Sequence, residues 1–334
     1  IPRFFVSHRL PLALASQSAG YDVHITTADT DPDNMSIIRQ TGLPFHPLPL
    51  AQHGTNPVTE LQTVRAMINL YRALKPDLVH HVSIKPVIYG GIAGRMTTVP
   101  AIVGAMSGLG RVFSDNNSKA KVLRQIVRPL FKFALSHPNT SMIFQNPDDR
   151  QAFIKMGLIA ENRTELIRGS GVDLDIFTPQ PEADGQPIVL FAGRLMWKKG
   201  VAEFIASARQ LQAKARFVIV GYTESSSPDT VPIEQLQAWA DEGIIEWWGK
   251  RDDMPNVFAQ SHIVCLPSSY GEGVPKVLIE ASACERAIVA TDTAGCREIT
   301  QNGENGLLFP VGDIDALVKA LDTLIDSPAL RQKM

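Results

Sequence analysis

The sequence predicts an α/β protein built from two doubly wound parallel-sheet domains. Its 334 residues are enough for two domains, each with a core of its own. Apolar runs that are typical of buried strands alternate with helical patterns through both halves, which favours parallel sheets covered by helices. Residues 169–181, rich in glycine and proline, separate the halves and are the predicted hinge. We therefore expect one domain over residues 1–173 and a second over 174–334, with a deep cleft between them.

The first half opens on a helical pattern. Residues 9–19 carry apolar side chains at helical spacing up to Gly20, a common helix end. Because a doubly wound domain normally begins with a strand, we expect the first strand to be missing from the front. The other strand signals lie at residues 21–26, 44–50, 76–82, 101–105, 141–144 and 165–168, and the other helical patterns at 37–41, 59–74, 84–96 and 148–156.

The second half repeats this alternation. Its apolar runs are short and continuous, as expected for strands that are buried on both faces. Asp313 is a good cap residue for the last predicted helix, 313–325. The strand signals lie at residues 187–192, 216–220, 244–248, 262–267, 287–291 and 307–309, and the other helical patterns at 201–213, 233–242, 254–260 and 276–284.

Composition and charge narrow the class of protein. Apolar residues make up 44% and charged residues 20% of the chain, as in ordinary globular proteins. No apolar run approaches the roughly 18–20 residues needed to span a bilayer. Three cysteines in apolar surroundings favour a reducing cytoplasm, and no Cys/His spacing suits zinc. Residues 1–178 carry 18 basic and 13 acidic side chains and residues 179–334 carry 14 and 21, so the first half favours an anionic ligand or surface.

The most informative stretch is residues 270–280. It links a strand signal to a helical pattern, so Glu272 falls in a loop and Glu280 about two turns into the helix. Gly273 allows close approach of the backbone to a ligand, and Pro275 suits a first helical position. The start of a helix offers free N–H groups to an anion at the sheet edge where such folds bind ligands. Two surface glutamates at this spacing also occur by chance, so the stretch alone does not establish a ligand site, and the other motifs of the chain are needed to choose between the two interpretations.

A second strand-to-helix stretch, residues 191–200, carries cations. The strand is expected to end at Ala192 and the chain to turn at Gly193. Arg194 and Lys199 then flank the loop before the helix, and Lys198 is a competing candidate. A guanidinium fork and an ammonium point charge beside a helix start suit a diphosphate. The alternative is a solvated basic loop.

Several residues at the ends of first-half strands are weaker candidates. His80 and His81 close one strand and Ser107 follows the next, although a histidine there is as often part of the core or rim. No strand is followed by G-x-G-x-x-G with a later acidic residue, by a Walker lysine motif or by G-x-S-x-G. These absences argue against dinucleotide binding, P-loop chemistry and a serine-hydrolase triad.

Residues 118–136 have the pattern of a basic amphipathic helix. Cations recur on one stripe and apolar residues on another, and Pro129 is expected to kink the helix. Such a helix can lie on an anionic membrane surface, and the alternative is an ordinary helix that covers the sheet. The cations of the stripe are Lys121, Arg124, Arg128 and Lys132.

The motifs together resemble retaining glycosyltransferases of family 4. The resemblance is carried by Gly193-Arg-Leu with Lys199-Gly200, by residues 169–173, and by Glu272-Gly-Val-Pro with Glu280. It implies the GT-B fold, in which two Rossmann-like domains face a cleft. Residues 295–298 and 305–313 extend the likeness, and residues 4–11, 83–90 and 144–149 are similar to the branch that glycosylates lipid-diphosphate-linked intermediates of bacterial surface polysaccharides.

The resemblance also implies roles for single residues. Arg194 and Lys199 would bind the donor diphosphate and stabilise the departing nucleotide. Glu280 would bind the ribose hydroxyls, and Glu272 would hold the donor sugar with two neighbouring amides. The base is expected near residues 249–251. The other implied donor contacts are Gly193, Arg251, Gly273, Val274 and Pro275, and His80 is an implied sugar or acceptor contact.

The chain departs from the family pattern at three places. Ser107 stands where many relatives have a histidine near the donor sugar. The glycine-rich loop that usually follows the first strand is replaced or lost with the front. The chain stops at Met334, before the helix that usually crosses back to the first domain, so we expect that helix to be missing too.

These observations predict a retaining glycosyltransferase that moves a sugar from a nucleotide sugar, with UDP the commoner family choice, to a lipid-linked saccharide. The resemblance implies attack on the leaving-group face without a metal or other cofactor, since no Asp-x-Asp stands in a suitable loop. We expect a cytoplasmic or peripheral membrane protein of lipopolysaccharide or capsule assembly, and no nucleic-acid partner. A nucleotide-sugar epimerase or hydrolase, or a non-catalytic nucleotide-sugar-binding protein, remains open as an alternative.

Overall fold

The computed structural model describes residues 1–50, 56–109, 118–223, 227 and 229–334, without the side chains of 118–123 and 126. The chain forms two compact α/β units, and the predicted fold class is confirmed. The first unit comprises Ile1–Ser107, Lys121–Phe144 and Arg150–Ser170. The second comprises Gly108–Ala120, Gln145–Asp149 and Gly171–Met334, so two short segments between the pieces of the first unit belong to it.

The strands of the first unit form two parallel sheets. One has two strands in the order β1-β2, and the other has four in the order β3-β4-β5-β6. In β4 and β5 the residues of Ile102 to Met106 pair with those of Thr140 to Phe144, so both strands end at the same edge. The strands are β1 Ile25–Thr27, β2 Phe45–Pro47, β3 Leu78–Val82, β4 Ala101–Met106, β5 Thr140–Phe144 and β6 Thr164–Leu166.

The helices of this half confirm the helical patterns and add one that was not predicted, at Pro2–His8. The short helix predicted to end at 37–41 begins at Pro32, because the Asp31 side chain accepts the Asn34 N–H and the proline occupies the first helical position. The helices are α1 Pro2–His8, α2 Leu10–Ser18, α3 Pro32–Gln40, α4 Pro57–Leu74, α5 Ile84–Met96, α6 Ser118–Leu135 and α7 Pro147–Lys155, and a short 3-10 turn lies at Glu161–Arg163.

The second unit has one parallel sheet of six strands, in the order β12-β11-β10-β7-β8-β9. The chain builds outward from β7 in one direction and then returns to β10 on the other side of β7. The point between β7 and β10 is therefore the topological switch point, beside which open α/β sheets bind their ligands. The strands are β7 Ile188–Arg194, β8 Arg216–Tyr222, β9 Glu246–Trp247, β10 Ile263–Leu266, β11 Ala287–Thr291 and β12 Gly306–Phe309.

Helices cover both faces of this sheet. Val189 and Phe191 pack into one apolar cluster and Leu190 into another on the opposite face, as the alternation of side chains along a strand requires. Burial of one such side chain stabilises the fold by about 1.5–3 kcal/mol. The helices are α8 Val201–Leu211, α9 Ile233–Asp241, α10 Met254–Gln260, α11 Lys276–Ala283, α12 Ala294–Arg297, α13 Ile314–Ile325 and α14 Pro328–Lys333, and a 3-10 turn lies at Trp197–Lys199.

Buried cations tie the segment before β7 to the second unit. Arg331 is 5% exposed, and its guanidinium makes two hydrogen bonds of 2.9 Å to the Glu182 carboxylate. Arg286 is 3% exposed and donates to Gln180 O and to Cys284 O. The end of the predicted hinge, at Gln180, and the chain directly after it, at Glu182, are thus fixed by charge-assisted bonds.

Within the part of the chain that the structure describes, none of the helices combines the length and apolarity needed to cross a bilayer. The same described residues contain no group of three or more His, Cys, Asp or Glu side chains placed to hold a metal ion.

Candidate functional site

The loops after β7 and β10 meet at the switch point of the second unit. Gly200 joins the 3-10 turn to α8 with φ 87°, a conformation that favours glycine. A Cβ at this position would lie 2.1 Å from Pro267 O, so only glycine lets the two loops approach this closely. The Ser269 N–H donates to Lys198 O at 2.9 Å and joins the loops a second time.

An ion pair crosses between these loops. The Lys199 ammonium contacts Glu272 Oε1, and the two side chains are only 14% and 13% exposed. Ser268, which is buried, places its hydroxyl 3.3 Å from the same oxygen. The structure therefore brings together one cation and one carboxylate that the sequence predicted separately. A lysine ammonium has three N–H donors, so the pair leaves donors for a second anion.

Arg194 and Gly193 end strand β7, at the edge where this pair lies. Arg194 is paired in register with Tyr222 at the end of β8, and its side chain is half-buried. Strand geometry thus places a guanidinium and an ammonium within the same loop region, Arg194 before the 3-10 turn and Lys199 at its end.

Glu280 lies in the second turn of α11, the helix that follows the Glu272 loop. Its side chain is 12% exposed and lies 3.2 Å from Lys276 Nζ, one turn earlier. Burial raises the pKa of the Glu280 carboxyl, and the Lys276 ammonium opposes this rise. Pro275 stands at the cap position of α11, one residue before the first helical position that was predicted for it.

The peptide groups after Glu272 are held by two residues of the 144–149 motif for which the sequence predicted no role. Gln145 Oε1 accepts the Val274 N–H at 2.9 Å, and Asn146 Nδ2 donates to Gly273 O at 3.2 Å. The Val274 amide, predicted as a donor to the sugar, is therefore engaged within the protein. The sequence signal that could have pointed to this pair is the capping pattern Asn146-Pro-Asp-Asp149 directly after a strand.

The region predicted for the base lies at the ends of β8 and β9. The Gly221 N–H donates to Gly249 O at 2.8 Å, which fixes the chain beyond β9. Arg251 is part of this chain, and its Nε lies 2.7 Å from Asp253 Oδ1. Its guanidinium is thus oriented by a carboxylate of its own loop.

His80 lies in the first unit, apart from the predicted donor residues, all of which lie in the second unit. It is exposed on β3, next to His81, which is 4% exposed. Tyr71 Oη lies 2.8 Å from His81 Nε2, and burial together with His80 lowers the pKa of His81 to about 3. The two histidines of one motif therefore differ in exposure, His81 lying in the core and His80 at the surface. Desolvation and Arg9 lower the pKa of His80 to about 4, so both imidazoles are neutral near pH 7.

The basic stripe of α6 is described only in part. The side chain of Lys121 lies outside the described residues. Arg128 donates to Met156 O at 2.9 Å and Lys132 is exposed, while Arg124 is half-buried. Phe131, one turn after Arg128 on the same helix, is fully buried and packs edge-on against a second aromatic ring. The helix therefore covers a core and also presents cations to solvent.

Two family models match the chain, and together they span most of it. The model described as "Glycosyl transferases group 1" matches residues 186–327, which include the whole switch-point site. The model described as "Glycosyl transferase 4-like" matches residues 3–146.

Two enzymes similar to the chain act on lipid-linked saccharides. The chain is 28% identical, over 88% of its length and 80% of the relative's, to N,N'-diacetylbacillosaminyl-diphospho-undecaprenol alpha-1,3-N-acetylgalactosaminyltransferase of Campylobacter jejuni. It is 26% identical, over 82% of its length and 73% of the relative's, to UDP-Gal:alpha-D-GlcNAc-diphosphoundecaprenol alpha-1,3-galactosyltransferase of Escherichia coli.

The fold is also found in a solved structure. Sucrose-phosphate synthase from Thermosynechococcus elongatus superposes with a TM-score of 0.80 at 22% identity, over 97% of this chain and 84% of that one. At this identity the likeness concerns the fold, and it agrees with two Rossmann-like units of the GT-B type.

Proposed function

Because the chain belongs to the group 1 glycosyltransferases, we propose that it transfers a sugar, with retention, from a UDP-sugar to a lipid-diphosphate-linked saccharide. The reaction would serve assembly of a surface polysaccharide such as lipopolysaccharide or capsule. The observation that carries the proposal is the shielded contact of Lys199 with Glu272 at the switch point, beside the start of α11. The sugar acceptors named for the two bacterial relatives support the choice of acceptor.

The diphosphate of the donor is assigned to Arg194 and Lys199. When the bond at the anomeric carbon breaks, negative charge grows on the leaving phosphate oxygen. Cations and N–H groups that are already fixed stabilise this charge without reorganisation, each worth roughly 2.7–4 kcal/mol when well placed. We expect these groups to carry the charge without a metal ion, and the leaving phosphate to take the acceptor's proton.

The donor sugar is assigned to Glu272 and the Gly273 amide. Among the described residues, Lys199 and Ser268 both contact Oε1 of the Glu272 carboxylate. A carboxylate has lone pairs on both oxygens, so it can accept from a sugar hydroxyl while it keeps the lysine. Its role is thus to orient the sugar rather than to attack it.

The nucleoside is assigned to Glu280 and to the chain after β9. The Glu280 carboxylate would accept from the ribose hydroxyls, and Lys276 favours the ionised form that can accept from both. Gly249 and Arg251 would lie beside the base, with Arg251 oriented by Asp253.

The acceptor side is assigned to the first unit. The lipid of the acceptor would hold the reaction at the inner face of the cytoplasmic membrane. There the stripe Lys121, Arg124, Arg128 and Lys132 would face anionic lipid, and each cation near such a surface contributes about 1 kcal/mol. His80, which faces outward, is the proposed contact to the acceptor or sugar.

The test is transfer from a labelled UDP-sugar panel to undecaprenol-diphosphate-linked saccharides. We expect turnover with one donor, and loss of turnover in Lys199→Ala and Glu280→Gln. Lys214→Ala is the matched control, because Lys214 is an exposed lysine paired with Asp322 and Asp326 on the surface. Isomerisation or hydrolysis of the donor without an acceptor would replace the proposal with an epimerase or hydrolase. Donor binding without any turnover would replace it with a binding protein.

A further inference from the structure

Two adjacent side chains after β5 hold the loop that carries Glu272. All of these residues belong to the second unit. Gln145 accepts the N–H of Val274 at 2.9 Å, and Asn146 donates to the carbonyl of Gly273 at 3.2 Å. One acceptor and one donor thus fix two consecutive residues directly after Glu272.

These hydrogen bonds are shielded from water. Gln145 is 6% exposed and Asn146 is fully buried. Loss of one partner from a buried hydrogen bond leaves the other unsatisfied, which destabilises the arrangement. The position of the loop is therefore coupled to both side chains.

The amide plane of Asn146 is itself fixed. Its Oδ1 accepts the Asp149 N–H at 2.8 Å as a cap of α7, and its Nδ2 donates to Asp149 Oδ2 at 3.0 Å. The second N–H of Nδ2 is then directed at Gly273 O. The helix cap and the contact to the loop use different atoms of one side chain, so they can be separated by substitution.

The loop is also confined on another side. Gly295 in α12 packs against it, and a Cβ there would lie 2.1 Å from Gly273 O. The Gly273 carbonyl is thus held between α12 and Asn146. A change on either side moves the peptide next to Glu272.

From these contacts we propose that Gln145 and Asn146 are positioning residues for sugar transfer, which fix the Gly273–Val274 backbone and with it the Glu272 carboxylate. The inference rests on the proposed function. Neither side chain is given a contact with the substrate. Misplacement of a reacting group by about 1 Å costs on the order of 10²-fold in rate, so the effect should fall on kcat.

The experiment measures kcat, donor KM and the melting temperature for three variants. Asn146→Ser keeps an oxygen that can cap α7 but loses both donations of Nδ2, to Gly273 O and to Asp149 Oδ2. Gln145→Met keeps the shape and loses the acceptor, and Gln145→Glu keeps the acceptor. The matched control is Asn56→Ser, because Asn56 caps α4 through the Val58 N–H and lies far along the chain from the loop.

We expect Asn146→Ser and Gln145→Met to lose roughly 10- to 100-fold in kcat, with donor KM close to that of Asn56→Ser. Their melting temperatures should fall below that of Asn56→Ser, because a buried partner is left unsatisfied, so kcat is compared at a temperature at which every variant is folded. Gln145→Glu should recover most of the loss. Wild-type kcat in Asn146→Ser and Gln145→Met would overturn the inference, as would losses that follow the fraction of unfolded protein. If the wild-type protein transfers no sugar from any donor, the proposed function fails instead, so the two failures are distinguishable.

Discussion

The second unit contains two lysine–glutamate pairs, one that joins the loops after β7 and β10 and one within α11 itself, and the partners of each pair meet for different reasons. Lys199 and Glu272 are 73 residues apart in the sequence and meet only because β7 and β10 are neighbours in the sheet. Lys276 and Glu280 are one helical turn apart, and any helix over these residues would place them together. Both carboxylates are shielded, at 13% and 12% exposure.

The difference concerns what each pair can do. The long-range pair joins two loops, so a ligand that binds Lys199 also acts on the loop that carries Glu272. The local pair adjusts the charge of one carboxylate within one helix, because Lys276 opposes the rise of the Glu280 pKa. We infer that the first pair serves the reacting end of the donor and the second its nucleoside end.

The largest effect is expected for Lys199→Ala. The substitution removes a fixed cation from the leaving phosphate and a partner from Glu272, so kcat/KM should fall by about 10²–10³-fold or more. Steady-state transfer with the identified donor measures it, beside Lys214→Ala. A fall in kcat/KM of less than threefold would show that Lys199 does not stabilise the leaving phosphate. The proposed difference in role between the two pairs would then be wrong.

The coupling within each pair should differ too. In double-mutant cycles on the free energy of unfolding, the shielded long-range pair is expected to give a coupling of roughly 0.5–3 kcal/mol. The local pair should give a smaller coupling, nearer the value of about 0.3–0.5 kcal/mol for exposed i,i+4 pairs, because the Lys276 side chain is 26% exposed and partly screened by water. Urea unfolding of Lys199→Met, Glu272→Gln and their double variant, and of Lys276→Met, Glu280→Gln and theirs, provides both values. Equal coupling energies would show that a pair formed between two loops and a pair formed within one helix contribute equally to the stability of the fold.

Glu280→Gln should lose donor affinity and gain stability. Burial raises the Glu280 pKa above its unfolded value, so the ionised carboxylate destabilises the folded state at neutral pH. This cost is absent well below the unfolded pKa, about 4.3, grows as pH rises from there to the folded pKa, and is constant at higher pH. The melting temperature of Glu280→Gln should therefore exceed that of wild type at pH 7 and match it near pH 4. A variant that is less stable at pH 7 would contradict this.

The two pairs also show what the sequence can predict. Continuous apolar runs such as 187–192 and 287–291 predicted strands correctly, because strands buried on both faces need no polar positions. The i,i+4 spacing of Lys276 and Glu280 follows from the helix alone. In contrast, the partner of Lys199 depends on the order of strands in the sheet, which no local pattern contains.

The contacts of Gln145 and Asn146 are likewise long-range contacts that local sequence patterns do not predict. Their place after a strand could be predicted, yet the residues they hold, Gly273 and Val274, lie more than 120 positions later in the chain. Of the candidates at 80 and 81, the pattern could not tell which histidine is buried, since that depends on the Tyr71 side chain of another element.

The smallest effect is expected for Lys276→Met, and its sign follows from the local pair. Lys276 lowers the Glu280 pKa, so its loss should raise this pKa further and leave more of the carboxyl protonated at mildly acidic pH. A protonated carboxyl accepts fewer hydrogen bonds from ribose, so donor KM should rise more at pH 6 than at pH 8. Lys276→Arg keeps the charge and should follow the wild-type profile, and the increase should stay below about tenfold, the equivalent of 1.4 kcal/mol. Parallel KM profiles for the two variants across this range would show that Lys276 does not act through the charge of Glu280.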